Sequence, residues 1–263
     1  MIIIKIGGGA AINLQGIAQD LAQVNEPLVI VHGANALRDE LAAKLGVEKR
    51  VLTSASGYAS VFTNREMLEV MMMAYAGLRN KHLVELCQQN GINAVGLTGL
   101  DGRLIQGKRN RGIRVKENGK IKMKRDLSGK PRRVNKGLLE LLLTNGFAPV
   151  ITVPIVDENG FAVNSENDDI VALLQSVLHA EKVIQFIEAP GFLEKADDPD
   201  SLISAMNFRE LEQREAQADG RMKRKILALR KLSDFGPVEV ILADGRVEHP
   251  LENALNGEGT VIR

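Results

Sequence analysis

The sequence has no tryptophan, two tyrosines and a single cysteine. With so few rings, stacking of successive bases along a groove has little to work with, and a formal net charge of +1 excludes a chain that coats a polyanion with its whole surface. The lone thiol, Cys87, has no second cysteine for a disulfide and no companions for a thiolate zinc site, which fits a reducing compartment and predicts a cytoplasmic protein. The opening Met1-Ile2-Ile3-Ile4-Lys5-Ile6-Gly7 is too short an apolar run for a secretory leader, and nowhere do the roughly 20 consecutive apolar residues of a membrane helix occur. The expectation is therefore a protein neither exported nor inserted. At 44% hydrophobic and 25% charged residues the chain has the composition of an ordinary folded domain rather than a disordered one.

What is present is a recurring pattern. Short β-branched runs at Ile2–Ile6, Leu28–Val31, Asn93–Leu97, Pro149–Val153, Lys182–Ile187 and Val238–Leu242 read as buried strands. Helix-period segments separate them, the longest from Asn64 to Gln89, with Met67, Val70, Met71, Ala74, Leu78 and Leu83 near 3.6 spacing and Gly91 just past its end. Alternating strands and helices predict an α/β fold, a three-layer α/β/α sandwich on a central, mostly parallel sheet, with ligands at the carboxyl ends of the strands. In the long helix Met71-Met72-Met73 covers too much of the circumference to face one core, so a second surface, in a homodimer, is expected.

Three strands run directly into glycine, at Gly7-Gly8-Gly9, Gly33-Ala34 and Gly99, where backbone can approach a ligand closely. Neither G-x-G-x-x-G nor G-x-x-x-x-G-K-[ST] occurs. Between Lys108 and Lys136 thirteen Lys or Arg stand against two acids, Glu117 and Asp126, so positive charge is concentrated in one segment. Within it Ile113–Lys116 and Lys120–Lys124 alternate around Glu117-Asn118-Gly119 as a β-hairpin. A three-residue loop would set Val115 opposite Ile121 and Arg114 opposite Lys122, giving one apolar and one cationic face, and this register is expected over a two-residue loop that mixes the faces. Like charges facing one another across strands cost stability, which suggests an acidic partner.

Lys5 ends the first strand beside glycines, where an ammonium can meet a phosphate. Asn164-Ser165-Glu166-Asn167-Asp168-Asp169 places carboxylates at the start of an apolar helix, and Gly220-Arg221-Met222-Lys223-Arg224-Lys225 opens another with four cations in five residues. These segments, together with Asn80-Lys81, Gly96-Leu97-Thr98-Gly99-Leu100-Asp101-Gly102-Arg103-Leu104 and Gly257-Glu258-Gly259-Thr260-Val261-Ile262-Arg263, resemble the amino acid kinase family across essentially the whole chain. The resemblance is to its acetylglutamate kinase branch, and within it to members acting on an amino acid borne by the acidic carrier protein LysW.

The resemblance implies an ATP- and Mg2+-dependent kinase that turns the side-chain carboxylate of carrier-borne aminoadipate or glutamate into an acyl phosphate, in lysine or arginine biosynthesis. It implies an acceptor-binding region over 1–175 and an ATP-binding region over 176–263. It makes Lys5 and Lys225 the pair that neutralises the transferring phosphoryl group and Asp168 the acid that holds both. Gly33, Ala34 and Asn164 would meet the acceptor; Gly7, Gly8, Glu188, Gly191, Leu193 and Ala218 would surround the nucleotide; no side chain is assigned to a metal. The acceptor is already an anion at neutral pH, so no general base is needed.

The sequence also departs from the pattern. His32-Gly33 is followed by Ala34-Asn35 where the family reads His-Gly-Gly, and Glu188-Ala189-Pro190-Gly191 replaces the usual nucleotide loop. Val61 stands where the resemblance places an arginine on the amino acid's α-carboxylate, with Arg65, one helical turn away, as the candidate substitute. Two other readings stay open: a kinase of another small acceptor such as acetylglutamate, and a silent member that binds an acidic protein.

Overall fold

A computed structural model describes the chain except residues 54–58, 118–119, 196–197 and 218–219, and the side chains of 59, 116–117, 120, 199, 217 and 220–224. The six expected strands all enter one eight-stranded sheet, in the order Ala205–Met206, Thr260–Ile262, Glu239–Asp244, Lys182–Ile187, Ile2–Ile6, Leu28–His32, Ala148–Thr152 and Ala94–Thr98. Every neighbouring pair is parallel except Glu239–Asp244 with Thr260–Ile262. The sheet runs unbroken through both expected regions, and the boundary at 175/176 falls inside the helix Asn167–Leu178.

Period-two alternation divides the core. Ile3, Val29, Val31, Val183 and Val240 face one layer, packed with residues of the helices Lys136–Thr144, Asn167–Leu178 and Gly220–Arg230. Ile2, Ile4, Ile6, Ile30, Ile184 and Phe186 face the other, packed with Leu14–Leu21, Asn80–Gln89 and Pro250–Leu255. Burial on both faces is why the strands read as unbroken apolar runs. Asparagine side chains cap four helices among the described residues: Asn13 accepts from Gly16 N at 3.0 Å, Asn64 from Met67 N at 2.9 Å, Asn135 from Leu138 N at 3.2 Å and Asn207 from Glu210 N at 2.9 Å.

The expected helix from Asn64 to Gln89 forms, but with a different interior. Arg65–Met71 is α-helical, Met72–Arg79 is π-helical and Asn80–Gln89 is α-helical again. The wider π turns shift the face, so Leu78, expected in the core, is 61% exposed, while Met71 is buried and Met73 is 46% exposed. Cys87 is buried in the last segment, and burial pushes its thiol up to about 11, where it is an inert core residue.

The cationic hairpin forms over Ile113–Glu117 and Lys120–Lys124, but the expected register is wrong. Val115 lies opposite Lys122, Arg114 opposite Met123, and Glu117 opposite Lys120, which leaves residues 118–119 as a two-residue connection. Burial of Val115, whose partner across the strands is Lys122, outweighs segregation of charged from apolar side chains. Each face is therefore mixed. Val115 is buried towards the body, whereas Ile121 and Met123 are 57% and 55% exposed beside Arg114.

From Ile2–Ile6 the sheet grows outward in both directions: Leu28–His32 flanks it on one side and Lys182–Ile187 on the other. This is a topological switch point, and the loops after these three strands open into a crevice at their carboxyl ends.

Candidate active site

Alternation along the first strand aims its one lysine. Lys5 shares the face of Ile3, against which the helix Asn167–Leu178 packs, so its ammonium emerges at that helix's amino end. There Lys5 Nζ lies 3.0 Å from Asp168 Oδ1, with the two side chains 11% and 21% exposed. The contact is an ion pair without hydrogen-bond alignment, and Asp168 Oδ1 is buried with its hydrogen-bonding capacity unfilled. The neighbouring Asp169 turns the other way, to Lys231 Nζ at 3.1 Å.

One cleft of about 690 Å3 brings together Lys5, Gly7, Gly8, Gly33, Asn164, Asp168, Glu188 and Lys225. Its size suits a small-molecule site. The glycines are there because backbone meets backbone. A Cβ on Gly8 would lie 2.5 Å from Asn35 N and 2.7 Å from Ala34 N, and one on Gly33 would lie 2.9 Å from Gly8 N. Gly8 O accepts from Ala36 N at 2.9 Å, which fastens the two loops together. Glu188 Oε1 accepts from Ala11 N at 2.8 Å and fills the space beside Gly9.

Other expected site residues lie elsewhere. Ala34 is fully buried behind the cleft. Gly191 packs on Thr260, where a Cβ would meet Oγ1 at 2.6 Å, and Leu193 bridges Leu202; neither lines the cleft. Ala218 lies outside the described residues. Val61 is in the cleft wall, but Arg65, the candidate substitute, is not: it is exposed and paired with Glu69 at 2.7 Å. Sequence reasoning missed Arg38, Lys49 and Tyr75, which do line the cleft. The available signal for Arg38 was its position one helical turn after Asn35. Thr98 and Asp101 form a turn clasp, with Asp101 Oδ2 accepting from Thr98 N at 2.6 Å and Thr98 Oγ1 at 2.8 Å.

His32 supports the loop from beneath. It is fully buried, with Nδ1 3.3 Å from Gly33 O and Nε2 3.1 Å from Asn80 Nδ2, which also donates to Val150 O at 3.0 Å. These partners fit a neutral ring with its proton on Nδ1. Burial holds His32 down at about 3. Above the ordinary value of 6.5 neither state of the chain protonates this ring; between 6.5 and 3 the unfolded chain takes up a proton that the folded chain refuses. Stability is therefore expected to fall by about 2 kcal/mol from this residue between pH 7.5 and 5. His249, raised by its hydrogen bond to Asp20, works in the opposite direction. Urea denaturation across that pH range, compared with His32→Gln, isolates the His32 contribution; equal slopes for the two proteins would remove it.

A second cavity of about 600 Å3, lined by Ile113, Arg114, Asp126, Lys130 and Lys231, shares Ser60, Val61, Asn164, Ser165, Glu166 and Asp168 with the first. The cleft thus continues under the cationic hairpin. Among the described residues the one trio with metal-ligand spacing, Asp20, His249 and Glu252, is outside the cleft, and Asp20 there accepts from Leu251 N at 2.8 Å at the start of the helix Pro250–Leu255.

The sequence profile of the Amino acid kinase family matches residues 1–244. The chain is 42% identical over 269 residues to a [LysW]-aminoadipate kinase of Thermus thermophilus, covering all of both chains. It is 32% identical over 266 residues to an acetylglutamate kinase of Methanopyrus kandleri, again covering all of both. Among solved structures, N-acetylglutamate synthase from Neisseria gonorrhoeae superimposes with a TM-score of 0.80 at 20% identity, over 99% of this chain and 58% of that one, which shows the fold alone. With a mostly parallel sheet, glycine loops meeting at its switch point and a profile match over nearly the whole length, the chain belongs to the amino acid kinase family.

Proposed function

We propose that the chain is an ATP-dependent kinase that phosphorylates the side-chain carboxylate of an amino acid, aminoadipate or glutamate, carried on an acidic LysW-like protein, in lysine or arginine biosynthesis. The observation that carries this reading is the cleft in which Lys5, paired with Asp168, shares a wall with Lys225 and two interlocked glycine loops. Those groups suit the chemistry. An anionic acceptor attacking a polyanion in line needs positioning and neutralisation of charge, and ammonium groups with backbone N–H groups supply both.

The cleft fits a nucleotide phosphate through its glycine cradle, which any Cβ would fill, while the buried Asp168 oxygen has acceptor capacity left for an ammonium N–H that itself meets the phosphate. Lys5 and Lys225 would hold the transferring group, Gly7 and Gly8 would offer backbone to it, Asp168 would orient Lys5, and Glu188 would stand beside the nucleotide. Gly33 and Asn164 would position the acceptor. Mg2+, when bound, supplies charge neutralisation on the phosphates and would arrive with them. The amino-terminal half of the sheet would serve the acceptor and the carboxyl-terminal half ATP. Turnover of ATP with free glutamate, acetylglutamate and carrier-borne aminoadipate or glutamate, with hydroxylamine trapping of acyl phosphate, tests the reading. A trapped product only from free acceptors would reject the carrier; none from any acceptor would reject the kinase.

The hairpin would receive the acidic carrier, and its mixed outer face narrows the contact to Arg114 flanked by exposed Ile121 and Met123. The KM for carrier-borne acceptor is expected to rise steeply with salt, since exposed charges are screened over about 8 Å at physiological ionic strength. The double variant Arg114→Glu, Met123→Glu is expected to raise that KM about 10-fold or more and leave ATP binding unchanged. An unchanged KM would leave the hairpin as a solvated edge. A homodimer through the long helix is supported by the outward Met73 and Leu78, and sedimentation showing only particles of 28.7 kDa at micromolar concentration would reject it. A lone thiol suits the cytoplasm.

A further inference from the structure

Among the described residues Arg38 is the one arginine lining the cavity of about 690 Å3 that holds Lys5 and the glycine loops, and it is built into the wall rather than waving from it. It is 7% exposed. Its Nε and Nη2 donate to Asp39 Oδ1 at 2.8 and 2.6 Å, and its Nη1 donates to Asn35 Oδ1 at 3.3 Å. Asn35 Oδ1 also accepts from the buried Tyr75 hydroxyl, so the fork is fixed from two sides. Lys49 approaches Asp39 Oδ2 at 2.6 Å from across the cleft wall, so two cations share one carboxylate and the group keeps a net positive charge. A guanidinium has five N–H groups, of which these bonds occupy three.

The position matters as much as the charge. Asn35 N lies against Gly8, at the loop proposed to meet phosphate, and Arg38 follows three residues later, about 4.5 Å along the helix axis. That offset suits a second carboxylate on a small extended acceptor whose first carboxylate lies at the glycine loops. Lys5 and Lys225 are reserved for the phosphoryl group, and Val61, in the same wall, has no donor. A preoriented, partly desolvated guanidinium with spare N–H groups is the side chain suited to grip a carboxylate in a fork.

We propose that Arg38, held by Asp39 and Asn35, binds the carboxylate of the acceptor that is not phosphorylated, and so requires an acceptor that keeps a free α-carboxylate. The inference rests on the reading of an amino acid acceptor and names the residue that recognises it. Its test is binding by calorimetry, with steady-state turnover alongside, using carrier-borne glutamate and its α-carboxamide, on the intact chain. The native protein is expected to bind the carboxamide about 10- to 100-fold more weakly, the loss of a charge-assisted hydrogen-bond pair. Arg38→Met is expected to lose the same factor on the carboxylate, to lose its discrimination against the carboxamide, and to keep its kcat and its KM for ATP within about threefold. Arg38→Lys, which keeps charge but not the fork, is expected to fall between.

Equal binding of acid and amide by the native protein would overturn the inference, as would an Arg38→Met protein that still discriminates or that loses ATP affinity in step. If Arg38→Met does not fold, the carboxamide comparison on native protein and Arg38→Lys decides. Failure of the functional reading would look different: acid and amide would both remain unphosphorylated while binding still reported on Arg38.

Discussion

Replacing Lys5 by methionine is expected to lower kcat by about 10^3-fold, with ATP affinity changed by less than about 10-fold. The reason is timing. An ammonium that meets spreading charge on the transferring phosphoryl group contributes most in the transition state, where an interaction raises kcat rather than merely tightening the substrate. The strand and its neighbours would hold Lys5 ready for that moment: it projects from the central strand, is 11% exposed at its side chain and is tied to Asp168 at 3.0 Å. Methionine keeps the stem volume and removes the charge, so circular dichroism and thermal melting should show a folded protein. Asp168→Asn is expected to be milder, about 10- to 100-fold, since it leaves the ammonium in place but free to wander. Single-turnover measurement of acyl phosphate formation decides; a Lys5→Met enzyme within about 10-fold of native kcat would take the phosphoryl group away from Lys5.

Gly8→Ala is expected to cost at least about 100-fold in kcat/KM, by a different route. The new methyl would sit 2.5 Å from Asn35 N and 2.7 Å from Ala34 N, both backbone atoms anchored at the start of the helix Asn35–Lys44, so no side chain can swing aside. The loops must part, which displaces the backbone proposed to face phosphate and, with it, the Asn35 that steadies Arg38. Misplacement of an ångström at a reacting centre is enough for a loss of that size. Gly46→Ala is the control: its Cβ would meet nothing within 4 Å, though its φ of +69 makes some strain unavoidable, so a small loss of stability with kcat/KM retained is expected. Isothermal titration with ATP and steady-state kinetics on both variants separate the cases, and a Gly8→Ala enzyme with native kcat/KM would sink the cradle assignment.

Much of the fold was legible because its determinants are local. Runs such as Ile2–Ile6 and Lys182–Ile187 carry β-branched residues at consecutive positions because both faces of a parallel strand are covered, and that signature does not depend on knowing the neighbours. Glycine at the end of a strand, and asparagine or acid at the start of a helix, likewise report the local backbone. Lys5 and Asp168 could be singled out for the same reason, each standing at an element's end where a ligand is met.

Long-range packing decided the rest. Whether Arg38 or Arg65 enters the cleft depends on which face of each helix the sheet covers, and Arg65 turned out to lie on the solvent side with Glu69. Gly191 was drawn off to Thr260, whose Oγ1 accepts from the next residue, Phe192, across 68 residues of chain, and no nearby residue foretells that. The hairpin register turned on Val115 finding a buried seat, and Leu78 was carried to the surface by a π-helical stretch that a 3.6-residue period does not contain. Propensity and periodicity act over a few residues, so the strands, the glycine-lined ends and the charged residues available to them could be read along the chain. Which of those charges share a cleft is set by sheet order and by the face each side chain is given when the layers close, and that no local stretch of residues contains.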